Sequence, residues 1–106
     1  MSSGVHRARD RRENEEWLAE LDRLADTLEL GGEARTVAEE VFLSSAPDAD
    51  RSKRAAVAAS VYAASLVAGD QRSQGTVADA AGVSRLTVQS RWKDLLDEAG
   101  LRAPDW

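Results

Sequence analysis

Apolar residues recur at helical spacing along most of the chain, and the first stripe lies between residues 13 and 30. Six apolar residues recur at intervals of one, three or four along the sequence, which places them on one face of a helix: Trp17, Leu18, Leu21, Leu24, Ala25 and Leu28. This spacing predicts an amphipathic helix from about Glu13 to Leu30. The following Gly31 and Gly32 are expected to end it.

Two further helices are predicted before residue 70. The first runs from about Glu33 to Ser44 and is expected to bury one set of residues: Ala34, Val37, Ala38, Val41 and Phe42. After a loop, the second runs from about Ser52 to Ala68 and is apolar or small on every side. A helix without a polar face is expected to lie in the middle of the domain, surrounded by the others.

The stretch from about residue 73 to 99 predicts a helix-turn-helix unit. Either Ser73 or Thr76 can cap a short helix that ends at Gly82, where positive φ is needed, and Ser84 can cap a second helix from about Arg85 to Ala99. Ala78 lies four residues before Gly82 and Val88 six residues after it. This small–glycine–apolar spacing is typical of two helices that cross closely at a tight turn.

The composition favours a single all-α domain and argues against an enzyme. With 106 residues, few β-branched residues and 7 glycines, we expect a polar arm at residues 1–12, one helical domain at 13–102 and a tail at 103–106. There is no Cys, and the one His is His6, so catalytic triads and Cys-based zinc sites lack their residues. We expect no catalytic residue, no metal and no cofactor. No apolar run could span a membrane, which predicts a soluble cytoplasmic, nucleoid-associated protein.

The net charge of −5 is unevenly distributed along the sequence. Residues 1–50 have a net charge of −7, residues 51–93 of +5, and residues 94–106 of −3. Such asymmetry is typical of a chain with one face for an anionic ligand, although a solvated charge distribution without a ligand gives the same numbers.

The outward face of the last predicted helix carries candidates for reading DNA bases. Gln89 could pair with adenine, Arg85 with guanine, and Leu86 or the methyl group of Thr87 could contact a thymine methyl. This chemistry predicts docking of the helix in the major groove of double-stranded DNA. An exposed polar face without a ligand is the alternative.

Candidate phosphate contacts surround this face. The expected set is Arg72, Ser90, Arg91 and Lys93, because cations and hydroxyls beside a recognition helix commonly meet the DNA backbone. Arg51, Lys53 and Arg54 either touch phosphate or form the solvated start of the third helix.

Two segments make the resemblance to a known family specific: RSKRAAVAASVYAAS and QRSQGTVADAAGVSRLTVQSRWKDLLDEAGL. From about Glu20 to Leu101 the chain resembles one cyclin-type repeat of archaeal transcription initiation factor B, the relative of eukaryotic transcription factor IIB. It is most similar to the second, C-terminal repeat. The resemblance implies a five-helix cyclin-like fold with a C-terminal helix-turn-helix that contacts the promoter beside the TATA box.

Carried over position by position, the resemblance implies base reading by Leu86, Thr87 and Gln89. The family commonly has Arg at the position of Gln89, so an altered sequence preference is expected. The chain has no Cys for the family's zinc ribbon and room for one repeat only. We therefore predict a stand-alone, single-repeat relative that regulates or assists transcription initiation.

Two functions remain open on the sequence. The first is a DNA-binding transcription factor with promoter DNA as its partner. The second is a protein-interaction module whose acidic first half engages RNA polymerase or the TATA-binding protein without reading DNA. The +5 segment around the helix-turn-helix favours the first. The oligomeric state is not determined by the sequence.

Overall fold

Five α-helices and no strand make up the described part of the chain, residues 14–45 and 50–101 of a computed structural model. No side chain is described for residues 45 and 50–52. The helices are α1 (Glu15–Thr27), α2 (Gly32–Ser45), α3 (Asp50–Val67), α4 (Gln74–Ala81) and α5 (Arg85–Glu98). The predicted all-α fold is confirmed, with every predicted helix present.

Helix α3 lies at the centre of the molecule, because it contacts each of the other four helices. All residues from Ala56 to Leu66 are buried, whichever way their side chains point. Many of them are alanines, which allow neighbouring helices to approach closely. The prediction of a central third helix is confirmed.

The outer helices each contribute one apolar stripe to the core around α3. Buried members include Leu21 from α1, Phe42 from α2 and Leu96 from α5, each with no exposed surface. Trp17 and Val37, which belong to the predicted stripes, are half-buried and pack against the rim of the core. The residues at the middle of each apolar stripe are thus buried, and those at its edges are partly exposed.

Four helices end in the same hydrogen-bonded turn. In α3, for example, the N–H of Asp70 donates to the carbonyl of Ser65 at 2.8 Å and the N–H of Gly69 donates to that of Leu66 at 3.2 Å. This is the Schellman arrangement, in which the first of the two donor residues along the chain needs a left-handed backbone. That residue is glycine after α3, α4 and α5, with φ of 73°, 75° and 77° for Gly69, Gly82 and Gly100.

The end of α1 departs from the sequence prediction. The left-handed residue is Glu29, with φ of 58°, and the N–H of Leu30 donates to the carbonyl of Ala25 at 2.9 Å. Gly31 and Gly32 were expected to supply this stop, but Gly31 lies beyond it and Gly32 begins α2. The prediction was wrong because burial of Leu30 against the core places the turn two residues earlier.

The predicted boundaries of the arm, domain and tail stay predictions, since residues 1–13 and 102–106 lie outside the described part. No helix within the described ranges is long and apolar enough to cross a membrane.

Candidate nucleic-acid interface

Residues 73–98 form a unit of two helices, α4 and α5, called here the C-terminal two-helix unit. Each helix begins with the same local motif, a serine followed three residues later by threonine. The Ser73 hydroxyl accepts from the N–H of Thr76 at 3.0 Å, and the Ser84 hydroxyl accepts from the N–H of Thr87 at 3.1 Å. Ser73 is therefore the cap of α4 and Thr76 is not, which resolves the alternative left open by the sequence.

Gly82 separates the two helices. Its φ of 75° places it in the left-handed region, and the N–H of Val83 donates to the carbonyl of Ala78 at 3.0 Å. Ala78 is buried and Val83 is half-buried against the core. The predicted break at Gly82 is confirmed, and α4 and α5 do not form one continuous rod.

The inner side of α5 is anchored to the centre of the fold. Val88 and Leu96 have no exposed surface. The ring of Trp92 meets that of Tyr62 on α3 edge to face, with 5.4 Å between ring centroids and an interplanar angle of 82°. Such contacts fix the rotation of the helix about its own axis, and so they decide which residues face outward.

The outer side of α5 displays most of the predicted DNA contacts together. Five of the predicted residues are exposed: Arg85, Leu86, Gln89, Ser90 and Lys93. Leu86 is 73% exposed, and no other large apolar side chain in the described ranges is exposed. The acidic helix α1 makes no contact with α5 within those ranges, so it leaves this surface uncovered. We call the surface formed by these five residues the α5 face.

Thr87 and Arg91 flank the α5 face and are half-buried. The Thr87 hydroxyl lies 2.8 Å from that of Ser84, with either atom able to donate. The Ser90 hydroxyl donates to the Thr87 carbonyl at 3.2 Å. The ammonium of Lys93 lies 5.6 Å from the centroid of the Trp92 ring, an arrangement in which the ring attracts the cation.

Arg72 is placed differently from the predicted phosphate contacts on α5. Its Nε donates to the carbonyl of Leu28 at 2.9 Å, and its Nη2 donates to that of Glu29 at 3.3 Å. Its Nη1 donates to the Asp70 carboxylate at 2.9 Å. The assignment of Arg72 as a phosphate contact stays a prediction, but these hydrogen bonds use donors that a phosphate would need.

The pKa of the Asp70 carboxyl is lowered from its ordinary value of 3.8. The main cause is the hydrogen bond from the N–H of Gly31, at 3.1 Å from Oδ2. The hydrogen bond from Arg72 adds to it, since both donors stabilise the charged form. No local pattern in the sequence points to Asp70, because its partner Gly31 is 39 residues away along the chain.

Of the predicted cations of α3, Arg54 lies beside α1. Arg54 is exposed, and its guanidinium lies 5.6 Å from the centroid of the Trp17 ring on α1. Together they border an open groove of about 330 Å³ beside α1. Lys53 is half-buried, and the side chain of Arg51 is outside the described part.

Comparison with known proteins identifies the architecture. Residues 12–98 match the family model described as the transcription factor TFIIB repeat. The chain belongs to the TFIIB repeat family. Its five helices have the cyclin-like fold of that repeat, as the sequence resemblance implied, and the match includes all of α1 to α5.

Curated relatives of this TFIIB repeat are named transcription initiation factor IIB. The protein of that name from Pyrobaculum islandicum is 36% identical over 87 residues, which cover 79% of this chain and 26% of the relative. That from Methanosarcina mazei is 33% identical over 79 residues, covering 72% and 23%. That from Pyrococcus horikoshii is 44% identical over 48 residues, covering 45% and 16%. The chain spans about a quarter or less of the length of these relatives.

The relatives carry the name of a transcription initiation factor rather than of an enzyme. In the described ranges, no group of three or more His, Cys, Asp or Glu residues could hold a metal ion.

Proposed function

We propose that this TFIIB repeat binds double-stranded promoter DNA through the α5 face and thereby regulates or assists transcription initiation. The observation that carries the proposal is the geometry of α5. Its inner side is locked by Val88 and Trp92, while its outer side presents an uncovered basic and polar surface. In this proposal the C-terminal two-helix unit acts as a helix-turn-helix motif, with α5 in the major groove.

The first half of the α5 face has the chemistry needed to read base edges. Arg85 can donate two hydrogen bonds to guanine, and the Gln89 amide can both donate to and accept from adenine. Leu86 is 73% exposed, which is costly for a side chain in water but useful against a thymine methyl group. These three residues, with Thr87 at the flank, are the proposed base-reading set.

The second half of α5 limits how the helix can lie on DNA. Lys93, with Ser90 and Arg91 beside it, is the proposed contact to phosphate. Beyond Lys93 the exposed residues include Asp94, Asp97 and Glu98. Three carboxylates would repel the DNA backbone, so we infer that the N-terminal half of α5 enters the groove and the C-terminal half points away.

The test is a fluorescence anisotropy titration of labelled genomic promoter fragments at several salt concentrations. We expect Arg85→Ala combined with Gln89→Ala to weaken binding by roughly tenfold or more, because each bidentate base contact is worth about 1–3 kcal/mol. The preference for promoter over random DNA should fall as well. Lys93→Ala should weaken binding to both DNAs alike and reduce the salt slope by about 0.9.

Arg23→Ala is the matched control for loss of a cation. Arg23 lies on α1, where it pairs with Glu20 at 2.8 Å, and α1 does not contact α5. This variant should bind like the unmodified protein. The proposal is wrong if the protein binds no DNA even at low salt, or if the double variant binds as tightly as the Arg23 control.

The acidic face of α1 favours a second candidate function, binding of a basic protein surface. Its residues Glu15, Glu16 and Asp22 are exposed, and a cluster of negative charges steers partners of the opposite sign. RNA polymerase and the TATA-binding protein are the proposed partners. Retention of either partner on the immobilised protein at moderate salt, with no binding to DNA at any salt, would favour this function over the first.

A further inference from the structure

Asp70 and Arg72 connect two loops that are distant in the sequence. The Asp70 carboxylate accepts from the N–H of Gly31 through Oδ2 and from Arg72 through Oδ1, at 3.1 and 2.9 Å. Arg72 in turn donates to the carbonyls of Leu28 and Glu29. We call these hydrogen bonds the Asp70–Arg72 clamp. It holds the loop between α1 and α2 against the loop between α3 and α4.

The clamp lies directly before the first residue of the C-terminal two-helix unit. Arg72 immediately precedes Ser73, the cap of α4, and its own N–H donates to the buried Ser65 hydroxyl at 3.3 Å. The chain is therefore held by side-chain and backbone bonds on the residues just before α4 begins. Because a helix of 8 residues is marginal by itself, it depends on contacts of this kind at its first turn.

We propose that Asp70 and Arg72 are positioning residues, which hold the C-terminal two-helix unit at the orientation that DNA binding needs, and that Arg72 is not a phosphate contact. This inference rests on the proposed DNA-binding function. The geometry favours it over a phosphate contact because the Arg72 side chain is 28% exposed and three of its nitrogens already donate to protein oxygens. A phosphate contact would have to break some of these bonds.

Two conservative variants distinguish a positioning residue from a phosphate contact, since the two roles predict different changes in DNA affinity. Asp70→Asn removes the anion that holds Arg72. If Arg72 bound phosphate, this change would release it and tighten DNA binding. Arg72→Lys keeps the positive charge but loses the planar set of donors, so a phosphate contact would largely survive it.

As positioning residues, both should instead weaken DNA binding when changed. We expect each variant to bind DNA roughly three- to tenfold more weakly. Without these charged hydrogen bonds α4 and α5 are held less firmly in the binding orientation, and restoring that orientation on DNA costs part of the binding free energy. The slope of affinity against salt should remain that of the unmodified protein, because no phosphate contact is lost. A role in stability alone would lower the melting temperature and leave the affinity unchanged where the variants are fully folded.

Asp79→Asn is the matched control for Asp70→Asn, because it removes an exposed carboxylate from α4 without touching the clamp. Its affinity for DNA should be equal to or slightly higher than that of the unmodified protein. Tighter binding by Asp70→Asn, or unchanged binding by Arg72→Lys, would overturn the inference.

Hydrogen exchange gives a second readout that does not need DNA. In Asp70→Asn and Arg72→Lys, the amides in the first turns of α4, such as Thr76 and Val77, should exchange faster than in the Asp79→Asn control. Equal exchange in all three variants would show that the clamp does not hold α4. If the unmodified protein binds no DNA, the proposed function fails, and the exchange rates alone decide whether the clamp positions the unit.

Discussion

At the scale of single residues, two buried serines of α3 differ in their hydrogen bonding. Ser60 and Ser65 both have no exposed surface. The Ser65 hydroxyl donates to the carbonyl of Tyr62 at 2.7 Å and accepts from the N–H of Arg72. The Ser60 hydroxyl has no hydrogen-bond partner among the described residues. A buried hydroxyl without a partner costs free energy, whereas a paired one contributes to stability.

The two serines should therefore respond oppositely to replacement by alanine. Ser60→Ala should raise the free energy of unfolding by about 1 kcal/mol, because it removes an unpaired polar group and improves helix propensity. Ser65→Ala should lower it by about 1 kcal/mol, because it leaves the N–H of Arg72 without its partner. Urea unfolding followed by circular dichroism measures both. Destabilisation by Ser60→Ala would show that its hydroxyl is paired.

The residues of the α5 face were predictable from the sequence, whereas those of the clamp were not. Arg85, Leu86 and Gln89 were placed outward by helical periodicity alone, and the structure has them exposed. Arg72 was grouped with them because it is a cation near the same unit. Its acceptors on Leu28 and Glu29 lie 44 and 43 residues away, and no spacing rule reaches that far.

At the scale of elements, the end of α1 differs from the ends of α3, α4 and α5. All four helices end in a Schellman turn, but in α1 the left-handed residue is not glycine. Glu29 takes φ of 58°, which is sterically unfavourable for a residue with a Cβ atom. Its carboxylate also follows the C-terminus of α1, where the helix dipole is negative. Both effects mean that Glu29 lowers the stability of the folded protein.

Replacing Glu29 by glycine should stabilise the protein. We expect Glu29→Gly to raise the free energy of unfolding by up to about 1 kcal/mol, since glycine takes the left-handed region without strain. Glu29→Gln removes the charge and keeps the Cβ atom. It should therefore gain only the part of the stabilisation that comes from removing the charge at the helix C-terminus. Thermal and urea unfolding of both variants measure the two contributions separately.

Gly69→Ala is the reverse control, made in the corresponding turn after α3. A Cβ atom there would meet nothing within 4 Å, so only the backbone conformation is tested. The free energy of unfolding of this variant should be lower by about 1 kcal/mol. If Glu29→Gly is destabilising while Gly69→Ala behaves as expected, the Glu29 side chain makes a stabilising contribution that outweighs the strain.

The helices themselves were predictable because their signals are local. A stripe repeating every three to four residues, a serine that caps the N–H three residues later, and a glycine at a left-handed turn all act within one or two turns of helix. Gly82 and Ser84 were identified in this way, and the cap of α4 was narrowed to Ser73 or Thr76. Glu29 was missed because no local rule favours glutamate in that conformation.

At the scale of the whole molecule, the Asp70–Arg72 clamp makes stability depend on pH. The pKa of Asp70 is lowered in the folded protein, first by the hydrogen bond from Gly31 and then by that from Arg72. A carboxyl whose pKa is lower when folded stabilises the fold while it is ionised. This contribution is fully present above the ordinary value of 3.8 and disappears as pH falls through the lower folded value.

Asp70→Asn should therefore be less stable than the unmodified protein at neutral pH, with a difference that shrinks as the pH approaches and passes below 3.8. Urea unfolding at a series of pH values measures this difference. Asp79→Asn serves as the control for removal of one negative charge. A difference that stays constant down to strongly acidic pH would show that the Asp70 carboxylate does not stabilise the fold through its charge.

Local sequence patterns were enough to predict the five helices, the apolar side of each, the turn at Gly82 and the Ser84 cap, because these depend on interactions between residues a few positions apart. Contacts between distant segments were evident only once the helices were packed: Asp70 with Gly31, Arg54 with Trp17, and Trp92 with Tyr62. The tertiary structure also decided that α1 packs away from α5. Such pairings follow from how the helices pack around α3, which the local pattern of a single chain does not specify.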